Sequence, residues 1–560
     1  MAYRICSVAA HHLPGTPVTA VQAAPGIASG AGRSVRRLIV FGLLFATVTI
    51  AAIGLSGLLG RMLDAGNELA VGDTAGLAQA LAFTLVGGPL ALVLWWFLWR
   101  GLTDAAERSS VAWGLYLAAM SMVSLITFST SLLSTASAGV GGQWQPQALA
   151  SGLVWALVWL WHQWMRHHPA KSPTHLANLA PVIGYLFGLI IGVGGAVTAI
   201  GSVLDASIAG TGSAIAGSPW WQTTLQGLVW MIGGAAIWWW HWFRDRAAPL
   251  RSGFAAVALV IVAALGAVIL TLGGLGTTLF VLLELAVDRS DPVSSILEPL
   301  GTAIAAAVVG SLVWVYYRGI ATRDPGEIGL PTRLVTSGVG LAAAASGIGI
   351  IVNSLLAAIG SPLAESGART LLLAGISSLA VGAPLWWMVW RPTAPVATDA
   401  VGSTGRRVYL IAVFGVSAVV ALITLLVIGF RIFEFTLDGA SGGSLLERVR
   451  ASLGLLTATA LVAAYHFAVW RRDAARIARE PGRRRTIGRV LLVTGADPDP
   501  LVRAVREASG AAVSVWMRTE PATVAPSADR VAAALEGVSG ARVLIVTGPG
   551  DRLEVIPLAD

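Results

Sequence analysis

Long apolar runs separated by short polar or glycine-rich segments dominate the first 470 residues. They lie at about 38–60, 81–99, 111–134, 148–165, 179–203, 222–243, 254–287, 299–317, 334–359, 370–390, 408–430 and 451–470. Crossing the hydrocarbon core takes ~20 apolar helical residues, so the pattern predicts twelve membrane-spanning helices. The run 254–287 is overlong for one straight span and predicts a break or tilt around Gly273-Gly274. Residues 1–37 hold no apolar h-region, so 1–35 read as a flexible leader rather than a cleaved signal.

The runs pair into a recurring unit. A first helix leads to a Gly/Ser/Ala-rich segment, then to a second helix ending in aromatics and an arginine. The best ends are Trp95-Trp96-Phe97-Leu98-Trp99-Arg100 and Trp386-Trp387-Met388-Val389-Trp390-Arg391. Trp161-His162-Gln163-Trp164-Met165-Arg166 and Trp238-Trp239-Trp240-His241-Trp242-Phe243-Arg244 are close variants, whereas Trp314-Val315-Tyr316-Tyr317-Arg318 and the Trp470-Arg471 end diverge. The spacing is about 75 residues, enough for two spans and their loops. Six repeats follow, at 36–106, 107–172, 173–248, 249–329, 330–403 and 404–472. All run in the same direction, unlike the inverted repeats of many transporters.

Composition agrees, with 56% hydrophobic and only 12% charged residues, against roughly 25% charged in soluble chains. A polar-shelled soluble fold is thereby excluded. The single cysteine, Cys6, excludes a disulfide scaffold. The net charge of +8 is spread by topology: the leader and alternate loops carry 17 Lys/Arg, the opposite loops six. This bias predicts that both termini and the Trp-Arg ends are cytoplasmic, and it implies no nucleic acid.

Fifteen of the 22 tryptophans lie in the six ends. Indoles settle at headgroup level and neighbouring arginines snorkel to phosphates. The candidate motif is therefore Trp95, Trp96, Trp99, Arg100, Trp161, Trp164, Arg166, Trp238, Trp239, Trp242, Arg244, Trp386, Trp387, Trp390, Arg391, Trp470 and Arg471. Its plain role is an anchoring belt. The sharper role is an aromatic collar for a lipid headgroup, a cation or a hydrophobic ligand.

The doubled helix, the basic lead-ins (Arg36-Arg37-Leu38, Arg406-Arg407-Val408-Tyr409) and the Leu-Trp-Trp-x-x-Trp-Arg finish resemble a bacterial membrane repeat family, domain of unknown function 5671. The resemblance covers roughly 36–471 in several tandem copies, with 36–100 and 370–391 closest and 250–320 most divergent. It implies a multi-pass protein of the bacterial inner membrane and carries no activity.

Few residues suggest chemistry. His162, His241 and His466 could ligate haem or relay protons. They occupy different motif positions, so polar decoration among interfacial aromatics is the simpler reading; His167-His168 reads as a solvated loop. Glu284 sits near the outer end of its run, where the interface explains it as well as a functional site. The stripes Gly184/Gly188/Gly192 and Gly338/Gly340/Gly347/Gly349 suit close helix packing.

After the last span, seven arginines crowd 471–485, and 473–486 read as a basic juxtamembrane stalk attractive to anionic lipid. Residues 487–560 then alternate as β-α-β-α-β-β, a small cytoplasmic α/β domain. Asp497 and Asp499 read as a helix cap and first-turn acid. Neither GxxxxGK[ST] nor GxGxxG occurs there.

The whole reads as an all-α polytopic membrane bundle of six parallel helix-pair repeats with a C-terminal α/β domain. No catalytic constellation, cofactor site or metal site stands out. The expected function is a non-enzymatic membrane scaffold or sensor. Its partners would be membrane lipids, including anionic headgroups, and a protein bound by residues 487–560. The alternative is a transporter or lipid-handling protein using a path between the repeats.

Overall fold

The computed structural model describes residues 27–65, 73–209, 219–248, 253–289, 291–323, 328–360, 366–391, 404–437, 444–479, 487–518, 526–538, 540–548 and 552–558. The first 26 residues, Cys6 among them, and most of the stalk's arginine run after Arg479 lie outside these. Long helices follow the apolar runs: α1 (Ile27–Leu63), α2 (Thr74–Gly101), α3 (Val111–Val140), α4 (Pro146–Arg166), α5 (Leu179–Ala209) and α6 (Trp220–Trp239). They continue as α7 (Gly266–Val287), α8 (Leu300–Ala321), α9 (Leu330–Gly360), α10 (Ser366–Trp390), α11 (Thr404–Leu437) and α12 (Leu445–Arg479).

Ten of them are long and apolar enough to cross a membrane, where the sequence pattern predicts twelve. The two others are α4 and α6, at 21 and 20 residues. Their opening turns carry Gln147 and Ser151, or Gln222, Thr223, Thr224 and Gln226, which lowers their mean hydropathy. Helix α1 begins at Ile27, inside the stretch expected as leader.

The overlong run 254–287 is resolved differently from expectation. Its irregularity is a π segment, Leu259–Leu265, and Gly273-Gly274 lie within the regular helix α7. Gly274 is there because α8 is close: a Cβ would stand 2.4 Å from the Ala307 nitrogen.

Two compact units emerge, residues 1–394 with 413–463, and residues 395–412 with 464–560. In the first, α1–α4 and α5–α8 pack as hairpins in groups of four, and α9 and α10 form a further hairpin. The first helix of each group touches its second and fourth: α1 touches α2 and α4, α5 touches α6 and α8, and α9 touches α10 and, through Gly349 and Gly454, α12. Groups join by the third helix of one and the second of the next, α3 on α6 and α7 on α10. Gln226 Nε2 donates to the Ser137 carbonyl at 3.2 Å across the first junction. Arg369 meets Asp288 at 3.3 Å across the second.

Small residues set these crossings. Gly188, Gly192 and Gly195 of α5 lie against the α6 backbone at Trp238, Gly234 to Ala235, and Met231. In α9, Gly340 and Gly347 face Trp386 and Leu379 of α10 in the same way. With no water to drive association, such close backbone approach supplies the van der Waals contact that holds membrane helices together.

The second unit contains β1 (Ile487–Thr494), α13 (Pro498–Ser509), β2 (Ala512–Met517), α14 (Ala528–Leu535), β3 (Gly540–Gly548) and β4 (Arg552–Leu558). The sheet order is β2-β1-β3-β4, with β1 parallel to β2 and β3, and β4 antiparallel to β3. Asp497 accepts the Asp499 N–H and caps α13. Val490, Leu492, Val543 and Ile545 point into a core closed by Leu501, Val505, Val531 and Leu535 of the two helices. Alternation along the strands places Leu491, Val493, Leu544 and Val546 on the other face.

Candidate functional site

The aromatics of the Trp-Arg ends do not all face outward, because consecutive residues on a helix point in different directions. In α2, Trp95 turns inward: it stacks on Trp99 at 5.7 Å, meets Trp161 of α4 edge-on at 5.3 Å, and its Nε1 lies 3.3 Å from the Met165 sulfur. Trp96, one residue on, is exposed and carries the Arg100 guanidinium 3.8 Å above its ring. Trp99 packs against Trp113 and the exposed Trp164, and Lys171 lies 4.4 Å over its ring.

The i, i+4 stacking of arginine on tryptophan recurs, on exposed Trp387 and half-buried Trp314. Arg391 lies 5.2 Å over Trp387, and Arg318 4.9 Å over Trp314. The adjacent Trp386 and Trp390 are half-buried. Each doublet thus divides into one ring for the protein and one for the surroundings. At the end of α12, Trp470 and Arg471 are both exposed, with Phe467 packed on the indole at 5.8 Å.

The α6 end is the most enclosed. Trp239 is exposed, but Trp238 and Trp242 stack on each other and donate to tyrosine hydroxyls of α8, Trp238 Nε1 to Tyr317 at 2.9 Å and Trp242 Nε1 to Tyr316 at 2.8 Å. A π turn, Trp240–Arg244, produces this arrangement by shifting the helix register and burying Trp242 with His241. Arg244 stays exposed.

Arg166 departs from expectation. It does not reach outward; its side chain is 9% exposed and meets Asp245, itself 3% exposed, at 3.5 Å. Gln163 Oε1 also accepts from it at 2.8 Å. His241 and His167 approach the same carboxylate at 3.8 and 3.7 Å. The π turn is again the cause, since it brings Asp245 round to the end of α4.

The three histidines are buried among the helices. His162, His241 and His466 are 0%, 2% and 0% exposed. Nδ1 of His162 donates to the Val158 carbonyl one turn back at 2.7 Å, which leaves Nε2 to accept the Tyr116 hydroxyl at 3.0 Å. His241 Nδ1 makes the same i−4 bond to Ile237, 2.9 Å long. His466 lies 6.1 Å from the Tyr409 ring. The facing tyrosines and Asp245 were missing from the sequence-derived site; their signal was a tyrosine near the start of the first helix, and an acid just past the motif.

Between the first, second and fourth helices of a group lies an apolar groove. In the first group it encloses about 640 Å³ against α1, α2 and α4, from Met62 to Trp161. In the second it encloses about 280 Å³ against α5, α6 and α8, with Trp238, Tyr316 and Tyr317 at one end. Among the described residues, no group of three His, Cys, Asp or Glu could hold a metal ion.

No curated protein and no solved structure matches the chain. The family described as domain of unknown function (DUF5671) matches three times, at residues 37–160, 179–308 and 331–461. Each match spans about two helix pairs, so the family's own unit is the four-helix group rather than the single pair read from the tryptophan spacing. With most of its length in these three tandem copies, the chain belongs to the DUF5671 family.

Proposed function

We propose that this protein is a non-enzymatic membrane scaffold that presents residues 487–560 to a protein partner. All twelve long helices cross the bilayer in this reading, with both termini in the cytoplasm, as the Lys/Arg bias favours. The observation that carries it is the open face of the C-terminal sheet. Two helices cover one face, while the other presents Leu491, Val493, Leu544 and Val546 beside Trp516, which is 63% exposed, and Ile556. Arg489 and Arg542 share this face one register step away. With these arginines at one end of the apolar strip and Glu554 beside Val546 at the other, the face suits a partner segment that is apolar with an acid at the arginine end.

The test is in-cell crosslinking from the full chain. A photoreactive residue at Trp516 is expected to give a discrete protein adduct that Leu544→Glu abolishes, and the same residue at buried Val505 to give none. Equal adducts from both positions, or none from 516 at normal protein levels, would overturn the reading. A lipid-handling role is the second reading, favoured by the repeated apolar groove. Saturable transfer of a lipid or solute by reconstituted protein would replace the scaffold with it.

A further inference from the structure

The groove of the first four-helix copy combines two features that belong to one ligand. Its walls are apolar, with Ala52, Leu59, Leu92, Leu157 and Trp161 representative, and no charged side chain among the described residues lines it. Its volume of about 640 Å³ falls within the ~300–1,000 Å³ of sites that enclose small molecules. Leu92 lies in the groove, and Trp96 and Arg100 follow it at four-residue steps along the same face of α2. Arg100 is exposed above the Trp96 ring. Among the described residues no carboxylate pairs with it.

The second copy repeats the combination on a smaller scale. Its groove is lined by Leu312 and Val313 of α8, and the same helix ends in Arg318, stacked on Trp314 and again without a carboxylate among the described residues.

We propose that the groove of the first copy holds an acyl chain of one anionic phospholipid, with the lipid phosphate on Arg100. A guanidinium donates charge-assisted hydrogen bonds to phosphate oxygens, and the indole beneath it limits the orientations it samples. The apolar walls select the chain, since any polar solute placed there would lose its hydrogen bonds to water without replacement. A free phosphate satisfies the arginine but leaves the groove unused; a phospholipid satisfies both ends. The proposal stands apart from the scaffold reading, because a resident lipid is compatible with it.

The test uses the full chain in nanodiscs of equal phosphatidylglycerol and phosphatidylethanolamine, with bound lipid counted by native mass spectrometry. Gly88 lines the groove, and a Cβ there meets nothing within 4 Å, so Gly88→Leu fills the space without touching a neighbour at its root. Gly88→Leu is expected to lose one phosphatidylglycerol, while Val86→Leu, on the same helix outside the groove, keeps it. Should Gly88→Leu fold poorly, Leu92→Trp fills the same groove from an exposed position. Arg100→Gln is expected to reduce the preference for phosphatidylglycerol about fivefold, the equivalent of ~1 kcal/mol for one basic residue at the surface. Added inorganic phosphate is expected to displace nothing. The proposal fails if well-folded groove-filled variants retain the wild-type lipid count, if the wild type carries no phospholipid, if Arg100→Gln leaves the preference unchanged, or if phosphate competes.

Discussion

Replacing Gly234 by alanine adds one methyl group at the tightest point of the α5–α6 crossing. The new Cβ would stand 2.2 Å from the Gly192 nitrogen, 2.5 Å from its Cα and 2.8 Å from the Gly188 carbonyl oxygen. All three are backbone atoms, so no side chain can rotate away. Ordinary contact begins at 3.4 Å, and the helices must part by about 1 Å to restore it. Overpacking of this kind costs about 1–3 kcal/mol. Alanine's better helix propensity returns about 0.5–1 kcal/mol, leaving a net loss of about 1–2 kcal/mol. Gly273→Ala is the matched control: its Cβ meets nothing within 4 Å, so only the propensity gain remains. Detergent-to-SDS unfolding, followed by tryptophan emission and far-UV circular dichroism, should separate the two variants by the overpacking cost of about 1–3 kcal/mol, with opposite signs relative to wild type. Equal stability of the two would refute the close crossing.

Three further outcomes are expected. Arg166→Met removes the arginine of a buried pair and leaves Asp245 facing only His167 and His241, a loss of up to about 3–5 kcal/mol in the same unfolding assay; Arg244→Met, at an exposed position, should change stability little. The Gly76 N–H and then Arg61 hold the Asp73 carboxyl below its ordinary value, so its support for the α2 start is complete above the unfolded pKa of about 3.9 and disappears as pH falls through the folded value. The protection of first-turn amides of α2, measured against intrinsic exchange at each pH, should therefore fall in acid in the wild type and lose this pH response in Asp73→Asn, which still caps. Finally, a reporter that fluoresces only in the cytoplasm, fused after Asp560, should be bright; a dark fusion at full expression would reverse the proposed orientation.

The membrane class, most helix positions and the family were legible because each rests on local information. An apolar run has the length of a span whatever its neighbours do, and a Trp-Trp-x-x-Trp-Arg finish repeats regardless of how the copies pack. The alternating strands of residues 487–560 were legible for the same reason: Val490 and Leu492 against Leu491 and Val493 is a period of two that survives any docking. Span counting was weaker at α4 and α6, where Gln and Thr in the opening turns dilute an apolar helix. A spacing of about 75 residues also suggested the helix pair as the unit, although the family's copy spans two pairs.

Sequence by itself determined what kind of chain this is: long apolar helices in a repeating series, aromatics and arginines at one end of each pair, and a short α/β segment after them. Tertiary structure decided which way each side chain faces. Trp95 and Trp96 are adjacent and chemically identical, yet one packs inside and the other carries Arg100 outside. Arg166 and Arg244 end equivalent motifs, yet one is buried on Asp245 and the other is exposed. The physical reason is helix rotation. About 100° separates successive residues, and the rotational setting of α2, α4 and α6 depends on glycine contacts and π turns that only the packed helices reveal.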